Sequence, residues 1–273
     1  MSGAGVMRKM KLVVIALLEA ASFVVGSARC EETEEKLRRI EGNFSFEYLS
    51  PHGIYGNWIT GNVAFYSKQS SDFTYFVQGS FYSRNEGNDL LAGVGAYKDW
   101  TNFLYTYSAV SAGTHSPYLP RFRGDHDFNF KVGEKKNIVL TAGITFVDYY
   151  NDHRDLILSG GPTFYLDKWI LQYRLFHNNS NPGSVNSYSH LISVGYGQER
   201  WQWTYLNVSF GKQAYLATSL ATPEAVNNDS LYISLQHRHW LGKHYGIFGG
   251  PSYFKLEDGY DKLGIYVGAF YEF

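Results

Sequence analysis

Apolar and polar positions alternate with a period of two along most of the chain. In the terminal stretch KLGIYVGAFYEF, Leu263, Ile265, Val267, Ala269, Tyr271 and Phe273 share one face, while Gly264, Tyr266, Gly268, Phe270 and Glu272 share the other. Residues 137–149 set Ile138, Leu140, Ala142, Ile144 and Phe146 against Val139, Thr141, Gly143, Thr145 and Val147. Residues 229–240 oppose Leu231, Ile233 and Leu235 to Tyr232, Ser234, Gln236 and Arg238, and residues 168–178 oppose Trp169, Leu171, Tyr173 and Leu175 to Gln172 and Arg174. A two-residue period sends alternate side chains to opposite faces of a strand. The pattern predicts fourteen strands, near 43–50, 57–67, 73–84, 89–98, 102–112, 122–132, 137–149, 154–166, 168–178, 188–199, 201–213, 229–240, 243–255 and 262–273, with twelve as the alternative count. No segment carries the period of a core helix.

The connections sort into two sets. One set, 68–72, 99–101, 133–136, 167–168, 199–200 and 241–243, is short; the interleaved set holds 113–121, 149–154, 179–187 and 214–228. Strands of about ten residues with short turns on one side and longer loops on the other fit an antiparallel, up-and-down transmembrane barrel with both ends in the periplasm. A closed barrel also leaves no unpaired edge and satisfies its backbone within lipid. Trp100, Trp169, Trp201, Trp240, Tyr149 and Tyr150 stand near strand ends, where interfacial girdles would place aromatics. A soluble lipocalin-like barrel is the competing fold, but it gives no reason for the sorted loops.

The N-terminus strengthens the membrane reading. Arg8, Lys9 and Lys11 precede an apolar run, broken only by Glu19, that ends in Gly26, Ser27 and Ala28. That is the layout of a secretory signal peptide over residues 1–28. Its removal takes away three basic residues and one acidic one, leaving a net charge of −3. Cys30 follows Arg29 rather than a small residue, which argues against lipidation. Residues 29–42 form a short charged lead, and residues 43–273 the barrel. Composition agrees: 23 Tyr, 19 Phe and 28 Gly fit strands better than helices, and one cysteine excludes an internal disulfide. A net charge of −1 over the full chain gives no reason to expect a nucleic-acid partner.

Charged residues inside the alternation are the candidate functional residues. Arg123, Asp125, Asp127 and Lys131 share a face of 122–132; Gln172 and Arg174, Gln236 and Arg238, and Glu272 occupy matching positions in their strands. An Arg facing lipid near the midplane costs about 2–4 kcal/mol. These nine residues are therefore expected to line the lumen, where charge of both signs either lines a pore or locks it. A separate motif closes the chain. Gly268, Tyr271 and Phe273 resemble the C-terminal signal by which outer-membrane barrels are passed to their assembly machinery, with Tyr266 standing where a polar residue is usual.

A wider resemblance lies in the middle. SPYLPRFRGDHDFNF, DYYNDHRDLILSGGPTFYLDKWILQYRLFH and SYSHLISVGYGQERWQWTYLNVSFGK resemble the YaiO-type outer-membrane β-barrel family over residues 43–273. The resemblance implies an outer-membrane location and no settled activity. Ser189 with His190, and Ser234 with His237, are ingredients for a hydrolase, but His190, His237 and His239 fall in the lipid-facing register. A nucleophile, a base and an orienter must converge at one level. An outer-membrane lipid hydrolase is thus the weakest alternative, and no catalytic residue is assigned. The acidic run YNDHRD (150–155) reads as a solvated loop rather than a metal site. No cofactor or metal is expected. The expected partners are outer-membrane lipids and, during insertion, the assembly machinery; the reading is a barrel with a narrow pore for small solutes, or a docking barrel that does not conduct.

Overall fold

The structure is a computed structural model; it describes residues 37–150, 152–212 and 228–273. The signal-peptide segment, Cys30 and nearly all of loop 214–228 lie outside the described residues. Fourteen strands alternate along the chain: β1 (Arg38–Ser50), β2 (Asn57–Ser70), β3 (Phe73–Arg84), β4 (Gly87–Asp99), β5 (Leu104–Gly113), β6 (Pro120–Val132), β7 (Ile138–Tyr149), β8 (Arg154–Leu166), β9 (Trp169–Asn181), β10 (Val185–Gln198), β11 (Gln202–Lys212), β12 (Asp229–Trp240), β13 (Tyr245–Leu256) and β14 (Asp261–Glu272). Each pairs antiparallel with its sequence neighbours, and β1 closes on β14 to complete the barrel. At the seam, Arg38 and Phe273 exchange backbone hydrogen bonds of 2.9 and 2.8 Å.

Three boundaries differ from the pattern. β1 starts at Arg38, inside the segment read as a charged lead, because Arg39 and Glu41 alternate inward and their backbones pair with both β2 and β14. Strands β9 and β10 run on through most of 179–187, leaving a turn of 182–184. That connection is therefore not a long loop. One helical turn, α1 (His52–Tyr55), sits in the β1–β2 connection. The connections that exceed a tight turn at the end opposite the termini are then 51–56, 114–119 and the stretch around 213–228.

The outer face is apolar. Phe44, Phe46, Val77, Val94, Val110, Phe128, Leu140, Ile144, Leu158, Ile192, Leu235, Ile265 and Val267 are all exposed, whereas their strand neighbours point inward. In water this surface would be a severe aggregation liability; in lipid it is the solvated face. Trp100, Trp169 and Trp201 lie exposed at the terminus end, as girdle residues do. Trp240 and Tyr149 do not belong to that set. They are 6% and 2% exposed and point inward, since His239 and Asp148 take the outward positions beside them.

Inside, aromatic rings cluster towards both ends of the bore among the small and polar residues that the alternation places there. Near the termini Trp240, Phe248 and Phe270 pack on Ala64, with Tyr66, Trp203 and Tyr266 against them. At the opposite end Val147 and Tyr149 of β7 and Ile157 of β8 pack with Phe254 and Leu256 of β13. β7 and β13 stand nearly opposite in the ring of strands, so this second cluster crosses the bore. A third cluster joins Tyr82 and Leu91 to Tyr118 and Leu119, drawing loop 114–119 inward, where the Arg84 guanidinium stacks 4.1 Å from the Tyr118 ring and 3.7 Å from Trp58.

Candidate functional site in the barrel lumen

Charges at the inner positions are paired, and the pairs identify the face they occupy. Arg174 on β9 places Nη2 2.5 Å from Asp127 Oδ1 on β6, although β7 and β8 lie between those strands. Only a contact through the interior can skip two strands. The same guanidinium donates to Ser159 Oγ at 2.8 Å. Gly143 on the intervening strand makes room: a Cβ there would overlap the Asp127 carboxylate and the Arg174 guanidinium. Arg123 binds Asp125 through two nitrogens, at 2.8 and 2.9 Å, and Thr145 donates to the same carboxylate at 2.7 Å. These four charged side chains keep 17–18% exposure, so open space touches them inside the wall.

A second network lies near the termini and is drier. Arg238 of β12 reaches Glu41 of β1 at 2.7 Å, with both side chains 4% exposed, and Arg39 lies 3.3 Å from the same carboxylate. Phe248 and Phe270 take the Arg238 guanidinium on their faces at 4.8 and 4.6 Å. Glu272 accepts from Trp240 Nε1 at 3.4 Å and stands 3.8 Å from Arg39. Apart from this network and more exposed than it, Lys131 meets Asp99 at 2.5 Å and lies over the Tyr105 ring. Gln236 pairs in register with Tyr205, and Gln172 with Ser193 and Thr163; both are half-buried on the inner side. At the chain end Tyr271 and Phe273 are half-exposed and stack outward at 5.9 Å, Tyr266 turns inward against Phe248, and Gly268 lies beside that same ring.

Sequence reasoning missed how the lumen holds its aromatics. Phe76 pairs with Gly95, Tyr205 with Gly195, Trp203 with Gly197, Phe248 with Gly268 and Phe270 with Gly246 across neighbouring strands. A Cβ on any of these glycines would collide with its partner's ring. Each ring therefore lies against the wall where the neighbour has no side chain, a form of cross-strand shielding of glycine. The readable signal was an inward glycine directly opposite an inward aromatic, visible only once the strand register is known.

The outer face bears histidine pairs. Ser108 and His126 Nδ1 are 2.8 Å apart, Tyr173 OH and His190 Nδ1 2.9 Å, and Thr204 and His237 Nδ1 2.9 Å. The first is the nearest thing to a nucleophile–base pair. The ladder partners of His126, Ser108 on β5 and Ile144 on β7, bring it no carboxylate to orient the ring. Ser189 is buried in the lumen while the neighbouring His190 is turned outward, so that candidate pair is split by the wall; Ser234 and His237 are split in the same way. Among the described residues no three His, Cys, Asp or Glu side chains gather as a metal site. In the run 150–155, Asp155 is buried and already bound by Asn178, Ser180 and His153.

Comparison with known proteins agrees with this architecture. An outer membrane channel from Pseudomonas putida F1 superposes with a TM-score of 0.54 at 11% identity, covering 89% of this chain and 97% of that one. The outer membrane protein Omp33 of Acinetobacter baumannii gives a TM-score of 0.53 at 12% identity, covering 87% of this chain and 99% of the other. At such identities the likeness is one of fold. No curated protein matches the sequence. The family model described as the YaiO membrane beta barrel domain matches residues 37–216, from the lead into β1 to just past β11, and β12–β14 complete the same closed sheet. An outer-membrane β-barrel of fourteen antiparallel strands, this chain belongs to the YaiO membrane β-barrel family.

Proposed function

We propose that the protein is a narrow outer-membrane pore for small solutes, with its termini and tight turns on the periplasmic side, and that it is not an enzyme. The observation that carries this reading is the partial exposure of Arg123, Asp125, Asp127 and Arg174 at mid-lumen. Ion pairs that lock a dry core are driven to full burial, as Arg238 with Glu41 is; pairs that line water keep a solvated edge. Fourteen strands also fall between the eight that side chains fill and the sixteen that leave a broad channel. A second reading, a barrel that does not conduct, draws support from the apolar cluster of Val147, Tyr149, Ile157, Phe254 and Leu256 across the bore. Under the pore reading these side chains form the constriction.

Planar-bilayer recording of the purified barrel separates the two. Small discrete conductance steps that grow in Tyr149→Ala are expected. A silent wild type that begins to conduct only when Tyr149 is truncated would establish the closed barrel instead. Ester and phospholipid hydrolysis at the level of a Ser108→Ala control is expected; activity lost in that variant would overturn the non-enzymatic reading.

A further inference from the structure

On the outer wall, at the end opposite the termini, one carboxylate holds two arginines. Asp148 of β7 accepts from Arg121 Nε at 2.6 Å and from Arg154 Nε at 2.9 Å, and Arg121 Nη2 reaches the same carboxylate. The strands explain the meeting. Arg154 opens β8 directly opposite Asp148, in the outward register of Leu156 and Leu158. Parity alone would turn Arg121 inward. The ladder between β6 and β7, however, passes from Pro120 with Tyr149 to Phe122 with Asp148, so Arg121 is the extra residue of a bulge. A bulge re-aims a side chain, and this one sends Arg121 to the outer face beside Asp148.

This group keeps a surplus of positive charge within reach of the surroundings. Two guanidiniums share one carboxylate, whereas Lys98 and Asp72 near the termini balance each other. Asp148 is buried beneath its partners, while the Arg121 and Arg154 side chains are 53% and 57% exposed. The acid is therefore enclosed and the cations are open. A guanidinium also carries more N–H donors than these contacts use. Phe122 stands level with Asp148, and Phe146, Leu156 and Leu158 continue the same face toward the midplane, all of them exposed. On the other side of Arg154 its ladder partner is Asn181, whose amide donates to Asn179 at 3.2 Å.

Planar N–H forks match the oxygens of a phosphate. Cations at the edge of an apolar band lie at the depth of lipid headgroups, with apolar surface below them for acyl chains. We propose that Arg121 and Arg154 bind the phosphate of a phosphorylated lipid in the leaflet at that end, its acyl chains lying along Phe122, Phe146, Leu156 and Leu158. A soluble anion would meet the same guanidiniums but would leave that apolar surface without a role. The site needs only the lipid-facing wall and stands whether or not the bore conducts.

The probe is diphosphorylated lipid A, titrated into the full barrel in detergent and counted on the protein by native mass spectrometry. The same lipid stripped of its phosphates is the comparator. Saturable retention of the phosphorylated lipid, and much weaker retention of the other, is expected. Arg121→Gln and Arg154→Gln should each weaken binding about fivefold, the value of one cation at a lipid surface, and the double variant about twenty-five-fold. Lys98→Gln, at the other end of the barrel, should leave it unchanged. The heat-dependent gel shift checks that each variant folds. Replacing both arginines by lysine keeps Asp148 paired and should retain most of the affinity; a lysine pair as weak as the glutamine pair would trace the loss to a disturbed wall and overturn the site. Equal retention of the two lipids, or full affinity in the double glutamine variant, would overturn it as well. Complete displacement of the lipid by millimolar inorganic phosphate would assign the guanidiniums to a soluble anion and refute the lipid assignment.

Discussion

Arg174 and Arg238 make ion pairs of nearly the same length in different surroundings, and replacing each by Met measures the difference. The Arg174–Asp127 contact is 2.5 Å and the Arg238–Glu41 contact 2.7 Å, but the side chains are 18% and 17% exposed in the first pair and 4% in the second. Unit charges about 4 Å apart attract by about 1 kcal/mol in water and about 4 kcal/mol at an effective dielectric of 20. Where water reaches the pair it also solvates the carboxylate left behind, so Arg174→Met should destabilise by about 1 kcal/mol. Arg238→Met strands Glu41 in a dry site and strips a cation from the faces of Phe248 and Phe270. Breaking such a pair costs about 3–5 kcal/mol, and Arg39 at 3.3 Å from Glu41 holds the value near about 3 kcal/mol. A gap of about 2 kcal/mol is about thirtyfold in the unfolding equilibrium. Urea unfolding of the micelle-bound barrel, followed by tryptophan fluorescence, reads it. Adding Glu41→Gln to Arg238→Met should recover part of the loss, because the stranded charge is gone. Equal costs for the two single variants would show that the mid-lumen is as dry as the terminus-side network, and the argument for an aqueous bore would fail with that result.

Three further outcomes are expected. Phe273→Ala should lower the folded, heat-modifiable fraction in membranes more than an alanine substitution in loop 214–228; equal folded yields would remove the assembly role of the outward Tyr271–Phe273 stack. With Cys30 replaced, cysteine at 174 should react with a membrane-impermeant charged thiol reagent and cysteine at 173 with a lipid-soluble one, since Tyr173 is exposed on the outer face; the reverse pattern would mean a register shifted by one residue. In the turn between β2 and β3, a hydrogen bond from Lys98, then one from Ser70, holds the Asp72 carboxyl below its ordinary range. A depressed carboxylate stabilises the fold at and above the ordinary range, about pH 4, and loses that contribution as pH falls through its folded value. Asp72→Asn should therefore flatten the acid limb of stability and leave its slope above pH 6 unchanged, and an unaltered acid limb would refute the assignment.

Alternation alone carried the strand count and the side of the wall for most residues, because a wrong register would send every apolar side chain of a strand into the bore. It failed where alternation and aromatic placement compete. Trp240 and Tyr149 sit at strand ends, as girdle residues do, yet their parity is inward, and parity decides. Arg39 and Glu41 looked like part of a solvated lead because they end a charge-rich stretch, EETEEKLRRIE; pairing with β2 and β14 shows them as strand. Which carboxylate each arginine meets was not legible. Arg174 and Asp127 are 47 positions apart, and their contact depends on the curvature that brings β6 and β9 together over Gly143.

The glycine–aromatic pairs bear on how the inner face of the wall accommodates its rings. An inward aromatic occupies far more of the cross-section when it stands off the wall than when it lies along it. Each inward glycine opposite a ring removes the Cβ that would prop the ring upright. The composition, rich in both glycine and aromatics, follows from using the two together rather than from either alone. Where a glycine partner is present, at Phe76 and Tyr205, ring faces lie along the wall. Tyr149 pairs instead with Pro120 on one side, and there the rings meet across the bore with Phe254 and Leu256. Phe248 and Phe270 also face glycines yet pack into the terminus-side cluster, so the residue opposite a ring fixes how it lies on its own strand pair and not whether it meets other rings.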